Sequence, residues 1–340
     1  MFESLENVHR LLFEQEMRPA QGDRFQPTGF ADLGAAVYEL PNGKRKLLVE
    51  SAQSMANRFE HAIAGHDGEL LPKFRGLSYM RTLISGAADT YVTSLTEPHR
   101  INSPWFIGDR KFADEFSERA KCSKTSPLDW RKIGAAIFYY DVNSLLHGCF
   151  LANLDGRIKL QRALAAFIEA DNPREALSGG VKFNLIDTTG KLRAEHFNSK
   201  DVYGNVPFHR MEYTAERITA YFSLDLSLLR GFAFEQCAFD LLVALALYKV
   251  RHFLENGGRL RTACDLVPVG VPVMRTPEHF ELPFANELLD LIEKKTAECA
   301  KAGLFADPPV TELKAKAIDK GDKQKNEEAD EAHENDEDEL

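Results

Sequence analysis

Five polar side chains lie within eight residues of one another in the stretch LLVESAQSMANRFE, residues 47–60: Ser51, Gln53, Ser54, Asn57 and Arg58. The apolar run at 47–49 predicts a strand that delivers the chain into a helix over 52–64, with Ser51 as its N-cap. Ser51, Ser54 and Arg58 are spaced by three and four, so they share a helix face. Met55 and Phe59 form the opposing apolar pair. Unsatisfied N–H groups at a helix start attract anions. Hydroxyl and amide side chains add neutral hydrogen bonds, and Arg58 adds charge. This is chemistry for gripping a phosphate backbone without reading a base. The plain alternative is a capped surface helix with a solvated polar face.

Other motifs lead nowhere chemical. The chain holds no GxSxG and no HExxH. His61 and His66 are five apart, so they do not stack on one helix face for a metal. His147-Gly148-Cys149 has two ligand types but no second pair in sight, and reads as a buried strand end. Ser178-Gly179-Gly180-Val181-Lys182 lacks the Walker spacing and reads as a hinge before a hairpin. Asp187-Thr188-Thr189-Gly190 reads as a β-turn. The expectation is a non-enzyme, with no catalytic residue, no metal and no cofactor assigned.

Composition sets the frame. Of 340 residues 44% are hydrophobic, enough for a sizeable core. The net charge of −10 misleads, because residues 319–340 hold eleven acidic residues and three lysines. That tail carries −8, so the rest of the chain stands at −2 and is near neutral. Phosphate binding therefore needs a local basic strip rather than a basic protein. The five cysteines are widely spaced without a CxxC, which fits free thiols in a reducing cytoplasm. The first ten residues carry charge throughout, unlike a signal peptide. The longest apolar run, 241–248, is too short to span a bilayer. A cytoplasmic protein with no membrane partner is expected.

The elements that must position the candidates read as follows. Residues 3–17 predict a helix ended by Pro19. Residues 36–50 predict a hairpin with its turn at Pro41-Asn42-Gly43-Lys44. Residues 79–88 and 112–120 predict helices, 133–140 a buried strand continued over 145–151, and 161–170 a helix. Residues 181–186 and 191–197 predict a projecting hairpin. Strands are expected over 218–226 and 259–266, and helices over 233–255 and 286–301. Arg259 and Arg261 alternate with Leu260 on their strand, either lining a groove or facing solvent at an edge. Strands and helices mixed with hairpins favour an α+β sandwich of the ferredoxin-like kind over a doubly wound sheet.

The 50–58 stretch is similar to the strand-to-helix segment of backbone subunits of type I CRISPR Cascade complexes, where the pattern is Val-Ser-Ser-Gln-x-x-Lys-Arg. Ser51, Gln53 and Arg58 match it, while Ala52 and Asn57 replace the second serine and the lysine. Over residues 24–266 the chain resembles more closely the type I-G (formerly I-U) backbone subunit, a member of the RAMP superfamily. The stretches that carry the resemblance are RFQPTGFADLG at 24–34, LLVESAQSMANR at 47–58, DVNSLLHGCFLA at 141–152, SGGVK at 178–182, GNVPFHRMEYTAERITAYFSLDL at 204–226 and LRTACDL at 260–266.

The resemblance implies an α+β fold: a modified ferredoxin-like, RNA-recognition-motif palm with a helical finger insertion and a β-hairpin thumb. It implies one RAMP-type domain over 1–318, with the finger at about 60–130 and the thumb at about 178–212, followed by a disordered acidic tail at 319–340. It implies that copies of the chain stack along a CRISPR guide RNA and present its bases to target DNA, beside other Cascade subunits. The RNA-binding set is then Ser51, Gln53, Ser54, Asn57, Arg58, Lys182, His209, Arg210, Arg259 and Arg261. Lys191, Arg193, His196 and Lys200 add to a basic thumb, and Phe197 and Phe208 are candidate wedges between bases. The same superfamily includes RNA-cleaving members that use a loop aspartate. Asp32 and Asp141 are the positions to weigh for that alternative.

Overall fold

A computed structural model of the chain describes residues 2–30, 33–85, 90–123, 125–183, 185, 188 and 205–316. It is a mixed α+β structure whose main sheet is antiparallel, and it divides into two compact units. The first comprises residues up to 62, 164–226 and 247–285; the second comprises 63–163, 227–246 and residues from 286 onward.

The first unit is built on an eight-stranded sheet. Four of its strands, one helix and the 247–256 end of another follow one another as strand, helix, strand, strand, helix, strand. The first strand is Arg10–Pro19, the second Leu164–Asp171, the third Arg217–Asp225 and the fourth Cys264–Pro268. They lie in the sheet in the order fourth, first, third, second, with every neighbouring pair antiparallel. The helix Ala52–His61 follows the first strand, and Gln236–Asn256 follows the third. Strand Val273–Thr276 also pairs with the first strand, and the hairpin Val37–Glu39 with Arg45–Glu50 extends the sheet beyond the second.

Alternation of side chains decides which face is buried. Leu11, Phe13 and Met17, then Leu164, Ala166, Ile168 and Ala170, then Ile218, Ala220, Phe222 and Leu224, all point into the core. Phe59 of the first helix meets Phe222 of the sheet at 6.4 Å and Phe253 of the second helix at 6.1 Å. Phe13 stacks on Phe222 at 4.9 Å. The first helix and the 247–256 end of the second therefore lie on this one face of the sheet.

The other face carries Phe167 stacked on Tyr221 at 4.9 Å. Four of its cations are taken up by carboxylates: Arg275 by Glu14, Arg217 by Glu16, Lys46 by Asp171 and Arg10 by Asp225. Tyr38 donates to Glu169 at 2.7 Å, and burial together with that bond pushes its hydroxyl up to about 12. A face so neutralised has little to attract a polyanion.

The second unit packs helices Arg110–Ala120, Trp130–Tyr140 and Val142–His147 around Phe112, Phe116, Phe138 and Tyr140. Phe112 meets Tyr140 edge-on at 5.1 Å, and Phe138 stacks on Phe305 at 5.2 Å. A three-stranded sheet joins Val310–Lys316, parallel, to Tyr79–Ser85, which pairs antiparallel with Thr90–Thr93. Helix Ala285–Lys301 buries Leu288, Ile292 and Cys299.

The hairpin over 36–50, the helix capped by Ser51, the strand near 218–226 and the helices near 112–120, 233–255 and 286–301 form as the sequence predicts. The 259–266 strand forms as two pieces, Arg259–Arg261 and Cys264–Pro268. Other expectations are corrected. Residues 3–17 are not a helix. A short 3-10 turn at Glu3–Leu5 precedes the strand Arg10–Pro19, because the period-two set Leu11, Phe13, Gln15 and Met17 finds strands on both sides. Residues 161–170 are the strand Leu164–Asp171 for the same reason.

The predicted helix at 79–88 is the strand Tyr79–Ser85. The predicted strand at 133–140 is the helix Trp130–Tyr140, started by Asp129, whose carboxylate accepts from the Arg131 and Lys132 N–H groups. An unbroken apolar run shows no period, so its caps had to decide. Likewise 145–151 opens as the helix Val142–His147, with only Cys149–Phe150 extended. The supposed hinge at 178–180 lies inside a strand, Arg174–Lys182, paired in register with Val206–Thr214. A Cβ on Gly179 would sit 2.6 Å from the Phe208 carbonyl oxygen, so glycine serves close pairing there.

No described helix is long and apolar enough to cross a membrane. The predicted turn at 187–190, the second half of that hairpin at 191–197, Lys200, Asp32 and the 319–340 tail fall on residues outside those described or, at Thr188, on an isolated described one.

Candidate nucleic-acid interface

The site grows from a strand that ends in a buried acid. Strand Arg45–Glu50 places Leu47 and Val49 in the core and brings Glu50 to its end with 1% of its side chain exposed. A carboxylate is costly to bury unless it is paired. Two guanidinium groups meet it: Arg58, from the following helix, at 3.4 Å, and Arg261, from the strand Arg259–Arg261.

Both arginines are fixed further by main-chain carbonyls. Arg58 donates Nη2 to the Leu260 oxygen at 2.6 Å and Nη1 to the Arg259 oxygen at 3.4 Å. Arg261 donates Nη1 to the Gln26 oxygen at 2.8 Å and to the Val49 oxygen at 3.2 Å. Cys264 packs beside this group; burial pushes its thiol up to about 12, with Arg261, Glu50 and Arg58 as charged neighbours.

Gly258 makes the approach possible. A Cβ there would lie 1.7 Å from the Leu266 carbonyl oxygen, so only glycine lets the Arg259–Arg261 strand turn back against Cys264–Pro268.

A second buried acid repeats the arrangement at the base of the hairpin formed by Arg174–Lys182 and Val206–Thr214. Glu212 has 6% of its side chain exposed. Arg210 closes on one of its oxygens with both Nε and Nη2 at 2.7 Å, and Arg24 lies at 3.7 Å from the other.

The segment around 24–28 ties the two acids together. Phe25 and Tyr213 exchange main-chain hydrogen bonds at 2.9 and 2.8 Å. The Gln26 N–H donates to the Ala263 oxygen at 2.7 Å, and that of Thr28 to the Val49 oxygen at 2.9 Å. Beside Glu212 opens a groove of about 390 Å³ whose lining includes two arginines, Arg24 and Arg259, and three acids, Asp23, Glu212 and Asp265. Arg24, Arg58, Arg210, Arg259 and Arg261 thus gather in one unit from distant places in the sequence.

The predicted residues fare differently. Ser51 Oγ accepts from the Ser54 N–H at 3.3 Å, as an N-cap does, so that hydroxyl already serves the helix. Gln53 and Asn57 are exposed one turn apart and bonded to each other at 3.1 Å. Ser51, Ser54 and Arg58 do not act as one outward-facing set, because Arg58 turns toward Glu50. Lys182 sits on the hairpin face of Arg210, paired across from Val206. His209 lies on the opposite face, with exposed Leu177, Val181 and Met211.

Sequence reasoning passed over Arg24, Glu50 and Glu212. Glu50 follows the apolar run Leu47-Leu48-Val49, which was the available signal; Glu212, beside His209 and Arg210 on a mostly exposed strand, carries none. Asp141 is fully buried and caps its own helix, accepting from the Asn143 N–H at 3.0 Å and from Ser144 Oγ at 2.6 Å. It has no exposure from which to meet an RNA strand. Among the described residues no group of three or more His, Cys, Asp or Glu is placed to hold a metal ion.

A mixed α+β chain with an antiparallel main sheet and a gathered set of arginines is the class that fold and site define. A family model described as CRISPR-associated protein GSU0053 matches residues 11–174, which include Arg24, Glu50 and Arg58. No curated protein sequence matches the chain.

Among solved structures, a chain of a "CRISPR RNA-guided surveillance complex, pre-nicking" is similar at 15% identity and a TM-score of 0.40, covering 76% of this chain and 73% of that one. A chain of a "CRISPR RNA-guided surveillance complex" is similar at 12% identity and a TM-score of 0.37, covering 86% and 83%. Csc2 of Thermofilum pendens is similar at 10% and 0.31, covering 88% and 79%. These structural likenesses are distant.

Proposed function

We propose that the chain is a guide-RNA-binding backbone subunit of a type I-G Cascade surveillance complex. It polymerises along the guide and offers its bases to invading DNA. The observation that carries this reading is the set of four arginines gathered around two buried carboxylates, in a unit whose 11–62 segment lies within the CRISPR-associated family match. Guanidinium groups, an exposed amide pair and a helix start bind phosphate and leave bases unread. Specificity then rests on pairing between guide and target.

The first unit acts as a ferredoxin-like palm, since its strand order and helix placement follow that motif. The 63–163 insertion takes the place of the finger. The hairpin takes the place of the thumb, with Lys182, Phe208 and Arg210 on its polar face and Leu177, Val181 and Met211 on an exposed apolar face that suits a neighbouring copy. Chemistry on the RNA is left to other subunits.

Purification of the full chain at low salt from cells that express its guide RNA tests this. Short RNA of defined length is expected to accompany it, in particles larger than one chain. Protein free of nucleic acid from such cells would refute the proposal.

A further inference from the structure

Glu50 and Glu212 pose a question that phosphate binding alone does not answer. A surface meant for a polyanion has no electrostatic use for two buried anions. Nor do buried ion pairs recommend themselves for stability, since apolar residues of similar volume usually serve as well. Their geometry supplies the answer. Each carboxylate takes two arginines that arrive from distant parts of the chain, 58 with 261 and 24 with 210.

Arginine is long and rotamer-rich, and an unrestrained guanidinium loses that freedom only when it meets its ligand. A buried acid removes the freedom beforehand. Each guanidinium carries five N–H donors. Arg210 spends Nε and one Nη2 N–H on Glu212, and Arg261 spends both Nη1 donors on carbonyls and Nη2 on Glu50. The remaining N–H groups point where the clamp sends them.

We infer that Glu50 and Glu212 are positioning residues of the RNA surface: Glu50 clamps Arg58 and Arg261, and Glu212 clamps Arg210 and draws Arg24 to within 3.7 Å, so that their remaining donors stand ready for successive phosphates. The inference rests on the reading that this unit binds RNA. It goes beyond that reading in assigning the affinity to two acids that never touch the ligand.

The sign of one substitution separates positioning from charge. Glu50→Gln or Glu212→Gln raises the charge of its cluster from +1 to +2, because one carboxylate faces two guanidinium groups. If net charge governed binding, either change would tighten RNA binding and steepen its salt dependence. The clamp predicts the reverse: affinity for single-stranded RNA falls by roughly tenfold in each variant, the scale of one charge-assisted hydrogen bond. Affinity is measured by fluorescence anisotropy on the full chain, with folding followed by circular dichroism.

If Glu50→Gln does not fold, Glu212→Gln on the hairpin decides. Arg24→Ala, whose side chain is 55% exposed, provides a third variant, expected to lose affinity by a similar factor. Unchanged or tighter binding by folded Glu→Gln variants, or unchanged binding by Arg24→Ala, overturns the clamp while the RNA reading stands. An unmodified chain that binds no RNA overturns the RNA reading itself.

Discussion

Replacing Arg24, Arg58 and Arg259 together by alanine is expected to lower affinity for single-stranded RNA by about a thousandfold at low salt. Each charge-assisted hydrogen bond removed contributes about tenfold to that figure. The plot of log affinity against log salt should flatten by about 0.7 for each phosphate of a single strand that is no longer neutralised. The loss should be the same for unrelated sequences, since backbone contacts carry no base information. Arg58→Ala alone also leaves Glu50 with a single partner, so stability must be followed beside affinity. Phe167→Ala with Tyr221→Ala is the matching control. Those rings stack on the sheet face where four cations are already paired, and affinity there should stay within about twofold of the unmodified chain. A triple variant that binds as before would remove the groove from the account.

Phe59→Ala is expected to cost about 3–5 kcal/mol of folding stability, the range for deleting a fully buried aromatic ring. Phe59 has no exposed surface and joins Phe222 of the sheet to Phe253 of the second helix. Its neighbour Arg58 reaches Glu50, so the helix that carries the site is the helix that this ring anchors. Urea unfolding followed by circular dichroism reads the change as a shift of the midpoint at constant slope. A loss below about 1 kcal/mol would mean that the 52–61 helix does not lean on the sheet.

What could be read from the residues in advance follows a physical line. Elements with caps or turn signals were legible: Ser51 before its helix and Asn42-Gly43 in its hairpin. Elements whose identity depends on neighbours were not. Leu5, Val8, Leu11 and Leu12 have helical spacing, yet the 10–19 segment becomes a strand because strands on both sides accept its alternating set. The run at 133–140 is apolar on all sides and gives no period, so only the Asp129 cap distinguishes helix from strand.

The site was legible by residue type and obscure by arrangement. Arg58, Arg210, Arg259 and Arg261 could be named from the sequence. That Arg58 turns inward to an acid eight residues behind it, and that Arg24 comes to lie near Arg210, are consequences of sheet order. The acids were hidden for a simpler reason. A glutamate in a sequence reads as a solvated charge, and only burial marks it as a clamp.

The most direct test is a titration of the purified full chain with two unrelated single-stranded RNAs of equal length across a series of salt concentrations. The two dissociation constants should agree within about twofold at every salt, and both should rise steeply as salt is added, as backbone neutralisation by arginine requires. Binding that discriminates between the two sequences, or that ignores salt, would contradict a surface built to hold phosphates and leave the bases to pair.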